Sequence, residues 1–309
     1  MRYFFGLVLL LLSFGVLANP ILSEYWCGPD SGCGGQSQSF SDINPKATQV
    51  IVAFSLVNQN GVAQFQMAPG YAISSFITDI AALKKTGKKV LLSVGGQGAD
   101  WTGALNNPNV FSKSIFNLMN AYGFDGVDLD IESSSLATQQ QADQLIIVIQ
   151  MLRSQFNQDN KQHLLITVSP ESTTVVKTVP AIGGGWNAMV PVINKVIDDI
   201  DYIQVQAYND NPLGDKPGTS QFLKNIYNDF AKPFSNGVVY KGMPSNKLIL
   251  GVPASSAAAN AQYYATSAVL DQALKDLKQQ YGNQFGGVML WDSHWDALNA
   301  YAISNAAAP

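Results

Sequence analysis

The chain of 309 residues is short of the side chains that most often hold metal ions, with two histidines, His163 and His294, and two cysteines, Cys27 and Cys33. That is too few of the usual ligands for a zinc site, and neither a metal nor a cofactor is expected. Charge is scarce as well. Only 13% of residues are charged, and acids outnumber bases to give a net charge of −4. Nucleic-acid binding needs a basic face, which this composition does not supply, so a neutral partner fits better. No GKS or GKT phosphate loop occurs, and in SVGGQGADW the glycines Gly95, Gly96 and Gly98 miss the GxGxxG register of a dinucleotide fold.

Long apolar runs are confined to the N-terminus, where MRYFFGLVLLLLSFGVLANP combines Arg2, an apolar stretch from Tyr3 to Leu12, and the small-residue pattern Val16-Leu17-Ala18. Ser13 and Gly15 break the run before it reaches the ~20 residues of a spanning helix. Residues 1–18 therefore read as a secretory signal peptide, leaving residues 19–309 as a secreted domain with no membrane association after cleavage. Export makes a Cys27–Cys33 disulfide reasonable, worth roughly 2 kcal/mol for so short a loop. A pair of free thiols in CGPDSGC is the alternative.

The rest of the chain repeats. Strand-like runs begin near Ile21, Gln49, Lys89, Gly126, Leu164, Tyr202, Lys247 and Gly287, at intervals of 28, 40, 37, 38, 38, 45 and 40 residues. Between them lie segments with helical spacing. Ile73, Phe76, Ile77, Ile80 and Ala81 precede Gly87, and Phe111, Ile115, Leu118, Met119 and Tyr122 precede Gly123. Further helices are expected over Thr138–Phe156, Ala188–Asp199, Gln221–Phe230, Ser267–Tyr281 and Asp296–Ala306. Eight strand–helix units in about 290 residues predict an α/β protein, a single-domain (β/α)8 TIM barrel. About 30 residues separate the seventh and eighth strand runs, too few for an added α+β subdomain.

One strand departs from the apolar pattern. FDGVDLDIES places Asp128, Asp130 and Glu132 at alternate positions, opposite Val127, Leu129 and Ile131. Alternate residues share a face, so the acids should enter the barrel lumen while the apolar set meets the helices. Glu132 should then reach the C-terminal rim, where barrel enzymes keep their chemistry. Carboxylates about 6.6 Å apart repel by roughly 2.5 kcal/mol at an effective dielectric near 20, or nearly two pK units. At least one should hold a proton near neutral pH and serve as a general acid. A calcium loop starting at Asp128 fails, because Ser133 and Gln139 stand where glycine and glutamate are required.

DGVDLDIE is similar to the DGxDxDxE signature of family 18 glycoside hydrolases at Asp125, Gly126, Asp128, Asp130 and Glu132. SVGG at Ser93 to Gly96, QAYN at Gln206 to Asn209, and GVMLWDSHWD ending in Trp291 and Asp296 resemble that family's motifs on the third, sixth and eighth strands. The likeness runs from about Ile21 to the C-terminus and is nearest to single-domain bacterial-type chitinases. It implies retaining, substrate-assisted cleavage of β-1,4 links after N-acetylglucosamine. Glu132 would be the acid and base. Asp130 would hold the acetamide N–H and share a proton with Asp128, and Tyr208 would bind the acetamide oxygen with Gln206 and Asn209 in support. Trp291 would floor the site, and Ser93, Gly95, Gly96 and Asp125 belong to the matched motifs.

Glu171, in SPES, and the loop tryptophans Trp26, Trp101 and Trp186 are weaker candidates for lining the cleft, and simple packing is the competing account of the tryptophans. Val168 stands where the family often has methionine, and Asp292 where it often has serine. His294 and Asp292 are given no catalytic role. Chitin or N-acetylglucosamine oligosaccharides are the partners implied, for a monomer with an open, endo-acting cleft. An endo-β-N-acetylglucosaminidase on N-glycans would use the same residues, and a non-catalytic chitin-binding lectin would keep the cleft.

Overall fold

The computed structural model describes residues 20–28, 40–66, 71–132, 134–158 and 163–308. The expected signal peptide and Cys33 lie outside these. Eight strands form where the sequence places them, starting within one residue of expectation: β1 (Ile21–Cys27), β2 (Gln49–Val57), β3 (Lys89–Gly95), β4 (Gly126–Asp130), β5 (Leu165–Val168), β6 (Tyr202–Gln206), β7 (Leu248–Pro253) and β8 (Gly287–Trp291). All pair in parallel in the order β1-β8-β7-β6-β5-β4-β3-β2, and β1 also pairs with β2, which closes the barrel. The fold is a (β/α)8 barrel.

The outer layer contains α1 (Ile73–Lys85), α2 (Pro108–Tyr122), α3 (Gln139–Asn157), α4 (Met189–Val196), α5 (Ser220–Ala231) and α6 (Ser267–Tyr281). Gly123 closes α2 in the left-handed conformation at φ 78°. Thr138 and Gln141 form a capping box at the start of α3. These local signals are why the helix ends were readable. Outward strand residues such as Val127, Leu129 and Ile131 join the helices in the main apolar core, while Tyr25, Ile51, Ile249 and Met289 form a smaller cluster with Cys27 and Ala53.

The structure corrects the last helix. Instead of one element over Asp296–Ala306 there are two, α7 (Ser293–Leu298) and α8 (Ala302–Ala307). Ala300 and Tyr301 adopt positive φ of 53° and 59°, which no α-helix can accommodate. A short helix at Thr102–Asn106, a two-residue strand at Ala63–Gln64 and a hairpin of Phe234–Asn236 with Val238–Tyr240 were too brief to show periodicity. Between β7 and β8 there are only α6 and two 3-10 turns, so the added α+β subdomain is absent. Among the described residues no helix is long and apolar enough to cross a membrane. Cys27 is disulfide-bonded.

Candidate active site

Register decides where the acidic row goes. Ser93 of β3 stands beside Asp128, Gly95 beside Asp130, and Thr167 of β5 on the other side of Asp128. The row climbs the lumen from the fully buried Asp128 through Asp130, 4% exposed, to the partly exposed Glu132 just past the strand end.

Asp128 is held by five donors. Tyr25 Oη (2.6 Å) and Ser93 Oγ (2.7 Å) reach Oδ2, and Thr167 Oγ1 (2.6 Å), Ser169 Oγ (2.8 Å) and Gln204 Nε2 (3.3 Å) reach Oδ1. A carboxylate offers about four lone-pair sites, so these donors occupy them all. Asp130 accepts from Gln206 Nε2 at 3.0 Å, and the same amide donates to the carbonyl of Ser169 at 3.0 Å.

Asp130 and Glu132 line a cleft of about 750 Å³ at the C-terminal mouth of the barrel, together with Gly95, Gly96, Glu171, Gln206, Tyr208, Asn209 and Trp291. Phe54, Leu56, Gln97, Asp210 and residues 258–260 complete the wall. Burial, then the charges of Asp128, Glu132 and Glu171, push Asp130 far above the usual carboxyl range. Burial, and next the charge of Glu171, raise Glu132 to about 7. A carboxyl group so placed keeps its proton near neutrality and faces solvent-accessible space, which suits a general acid. Tyr208, 6% exposed, has its hydroxyl pushed well above 10 by burial and by the neighbouring acids, so it acts as a neutral hydrogen-bonding group.

The aromatic floor is larger than the sequence suggested. Trp291 stacks on Phe54 at 5.9 Å and 24°, and meets Tyr25 edge-on at 5.3 Å. Tyr25 therefore supports the floor and grips Asp128 at once. Asn209, in the left-handed region at φ 65°, accepts a hydrogen bond from the Asn260 backbone at 3.0 Å, which ties the β6 loop to the β7 loop. Gly95 has φ 114°, and a Cβ there would lie 2.1 Å from the Asp130 carbonyl oxygen. Its small size lets β3 crowd the acidic strand.

Several candidates lie elsewhere. Asp125 sits at the opposite, N-terminal end of β4, where it accepts from the Val90 N–H at 3.0 Å and pairs with Lys84 at 3.0 Å. Its place in the signature reflects anchoring of β3 and α1, not contact with the cleft. Ser93 is fully buried and serves Asp128, not a ligand. Trp101 and Trp26, each 1% exposed, are packing residues, Trp101 against Phe111 and Trp26 stacked on Phe40 at 4.0 Å. Trp186 is partly buried and does not line the cleft. Asp292 caps α7 by accepting from the Trp295 N–H. Phe54, Asp210 and Gln204 were missed. Phe54 ends an apolar strand run like any other and nothing local marks Asp210, whereas Gln204 stands two residues before Gln206 on β6, so alternation could have placed it in the lumen.

Residues 31–299 match the family model described as Glycosyl hydrolases family 18. Among curated proteins the chain is 28% identical over 332 residues to Chitinase D of Niallia circulans, and 27% identical over 325 residues to Chitinase Chi52 of Paenibacillus xylanexedens. Each alignment takes in 93% of this chain, which spans only about three fifths of the length of both relatives, 61% in each case. Among solved structures, a family 18 chitinase from Chromobacterium violaceum superposes with a TM-score of 0.80 at 28% identity, covering 94% of this chain and 83% of that one.

Proposed function

The chain belongs to glycosyl hydrolases family 18, and we propose that it is a chitinase hydrolysing β-1,4-linked N-acetylglucosamine with retention. The observation that carries the reading is Glu132, a partly buried carboxyl held near pKa 7 at the mouth of a cleft whose wall also presents Asp130, Tyr208 and Trp291. In this reading the carbonyl oxygen of the substrate's own acetamide attacks the anomeric carbon as Glu132 gives its proton to the departing glycosidic oxygen. Asp130 accepts from the acetamide N–H and stabilises the cyclic oxazolinium ion, and Tyr208 donates toward the acetamide oxygen. Glu132, now a carboxylate, takes a proton from water, which attacks the same carbon from the face the leaving group vacated and restores the acetamide. Two inversions give net retention.

Trp291 and Phe54 offer the flat apolar surface that a pyranose ring stacks on. The open cleft and the lack of an added subdomain between β7 and β8 support endo attack. The signal-like residues 1–18 support a secreted protein. One chain carries every group the mechanism uses, which supports a monomer. The test is Glu132→Gln assayed on chitin oligosaccharides. Hydrolysis should fall by at least about a thousandfold with binding retained, as expected for loss of a general acid. Full activity in that variant would remove Glu132 from the mechanism.

A further inference from the structure

The acid at the outer end of the row has no strand to hold it, since β4 stops at Asp130 and Glu132 lies two residues beyond. The loop that follows β3 holds it instead. Ahead of Glu132, the Gly96 N–H donates to the Asp130 carbonyl at 3.0 Å. Behind it, the Ser135 hydroxyl donates to the Ala99 carbonyl at 2.9 Å and accepts the Trp101 N–H at 3.3 Å. The Ser135 and Leu136 N–H groups close a turn on the Glu132 carbonyl itself, at 2.8 and 2.9 Å. Glu132 is thus bracketed on both sides by bonds to residues 96–101. That loop is anchored in turn, because the buried Trp101 packs edge-on against Phe111 of α2 and lies so near β3 that a Cβ on Gly95 would come within 2.8 Å of the indole nitrogen. Its other side is cleft wall, where Gly96 and Gln97 line the cavity.

We propose that Ser135 is a positioning residue for the reaction: its hydroxyl clasps the β3 loop to the turn after β4 and so fixes where the Glu132 carboxyl stands at the cleft mouth. The inference rests on the chitinase reading, in which Glu132 must come within hydrogen-bonding reach of the glycosidic oxygen. Ser135 is 8% exposed and does not line the cleft, so its effect passes through the backbone of Glu132 and not through the substrate. A hydroxyl donates once and accepts besides, and Ser135 does both toward one loop, which leaves the turn little freedom to swing. A shift of about 1 Å in a reacting group is enough to cost up to about a hundredfold in rate.

The experiment measures kcat, KM and the pH profile of kcat/KM for Ser135→Ala on a soluble chitin oligosaccharide, with Ser135→Thr, which keeps a hydroxyl, beside it. In Ser135→Ala kcat should fall about tenfold while KM changes by less than about twofold. The basic limb should also move to lower pH, because a Glu132 released from this bracket is less buried, and burial is the first cause of its raised value. The charged groups facing Glu132 are Glu171 past β5 and Asp210 past β6, with Asp130 on its own strand, and the variant alters none of them, so the limb reports position. Ser135→Thr should restore both kcat and the limb at least halfway. A kcat equal to that of the parent protein, or a lower kcat with an unmoved limb, overturns the proposal, as does a loss that Ser135→Thr fails to restore. A Ser135→Ala chain that does not fold overturns it too, since the bonds of one hydroxyl contribute too little to unfold a barrel. Inactivity of the unmodified protein on the oligosaccharide overturns the chitinase reading instead.

Discussion

Gln206 and Asp130 lie 76 residues apart in sequence, yet the amide of the first donates to the carboxyl of the second at 3.0 Å, while its other bond reaches the Ser169 carbonyl, also at 3.0 Å. The second bond fixes the amide, so the backbone just past β5, the strand beside β4, helps aim Asp130. Gln206→Ala should therefore lower kcat on chitin oligosaccharides by about ten- to a hundredfold with a smaller change in KM, the penalty for misplacing a group at the reacting centre. A change confined to KM would show that Gln206 contributes binding alone.

The activity should have a basic limb near pH 7. Glu132 works in its protonated form, which is present below about 7 and is lost as pH rises through that value. Above it, kcat/KM on a soluble oligosaccharide should fall about tenfold per pH unit. Burial is the first cause of the raised value and the charge of Glu171 the second, so Glu171→Gln should move the limb to lower pH. An immobile limb in that variant would separate the two residues.

Gly95→Ala should be severe. The new Cβ would stand 2.1 Å from the Asp130 carbonyl oxygen at a φ of 114°, so β3 and β4 must part or the peptide must turn. We expect destabilisation of more than about 2 kcal/mol, read as a fall of several degrees in Tm, accompanied by loss of activity. An unchanged Tm would mean that the strands accommodate the methyl group.

Away from the cleft, Glu24 of β1 is fully buried and accepts the Asn44 N–H at 3.0 Å. Burial first, then the charges of Asp296 and Asp292, raise it from 4.5 to about 8, against the opposing pull of the Asn44 hydrogen bond and Lys88. Unfolded, it loses its proton above pH 4.5, and folded it keeps the proton to about 8. The folded state thus binds more protons across that window, and stability falls as pH rises through it, by on the order of 5 kcal/mol in all. Glu24→Gln should flatten Tm between pH 5 and 8 and raise it at pH 8, as thermal unfolding at several pH values would show. A slope equal to that of the parent protein would assign the loss to other groups.

Much of this molecule was legible before any coordinates, because local rules govern it. Strand alternation forced Asp128, Asp130 and Glu132 onto one face and Val127, Leu129 and Ile131 onto the other, and the lumen could take only the acidic set. Glycines after α1 and α2 marked helix ends because left-handed closure favours them. What escaped was set by partners distant in the chain. Asp125 shares the signature with Glu132 but lies at the other end of β4, where Lys84 and Val90 claim it. Two of the candidate tryptophans, Trp26 and Trp101, proved buried among aromatic neighbours.

The amino-acid order alone determined the number of barrel strands, the facing of the acidic row and the residue at its outer end, since each follows from a period of two or of 3.6. Only closure of the barrel decided that Tyr25, Thr167, Ser169 and Gln204 would surround Asp128, and that Phe54 would lie against Trp291. Those contacts join strands from opposite ends of the chain, and nothing in a local window encodes which side chains meet when eight of them curve into a ring.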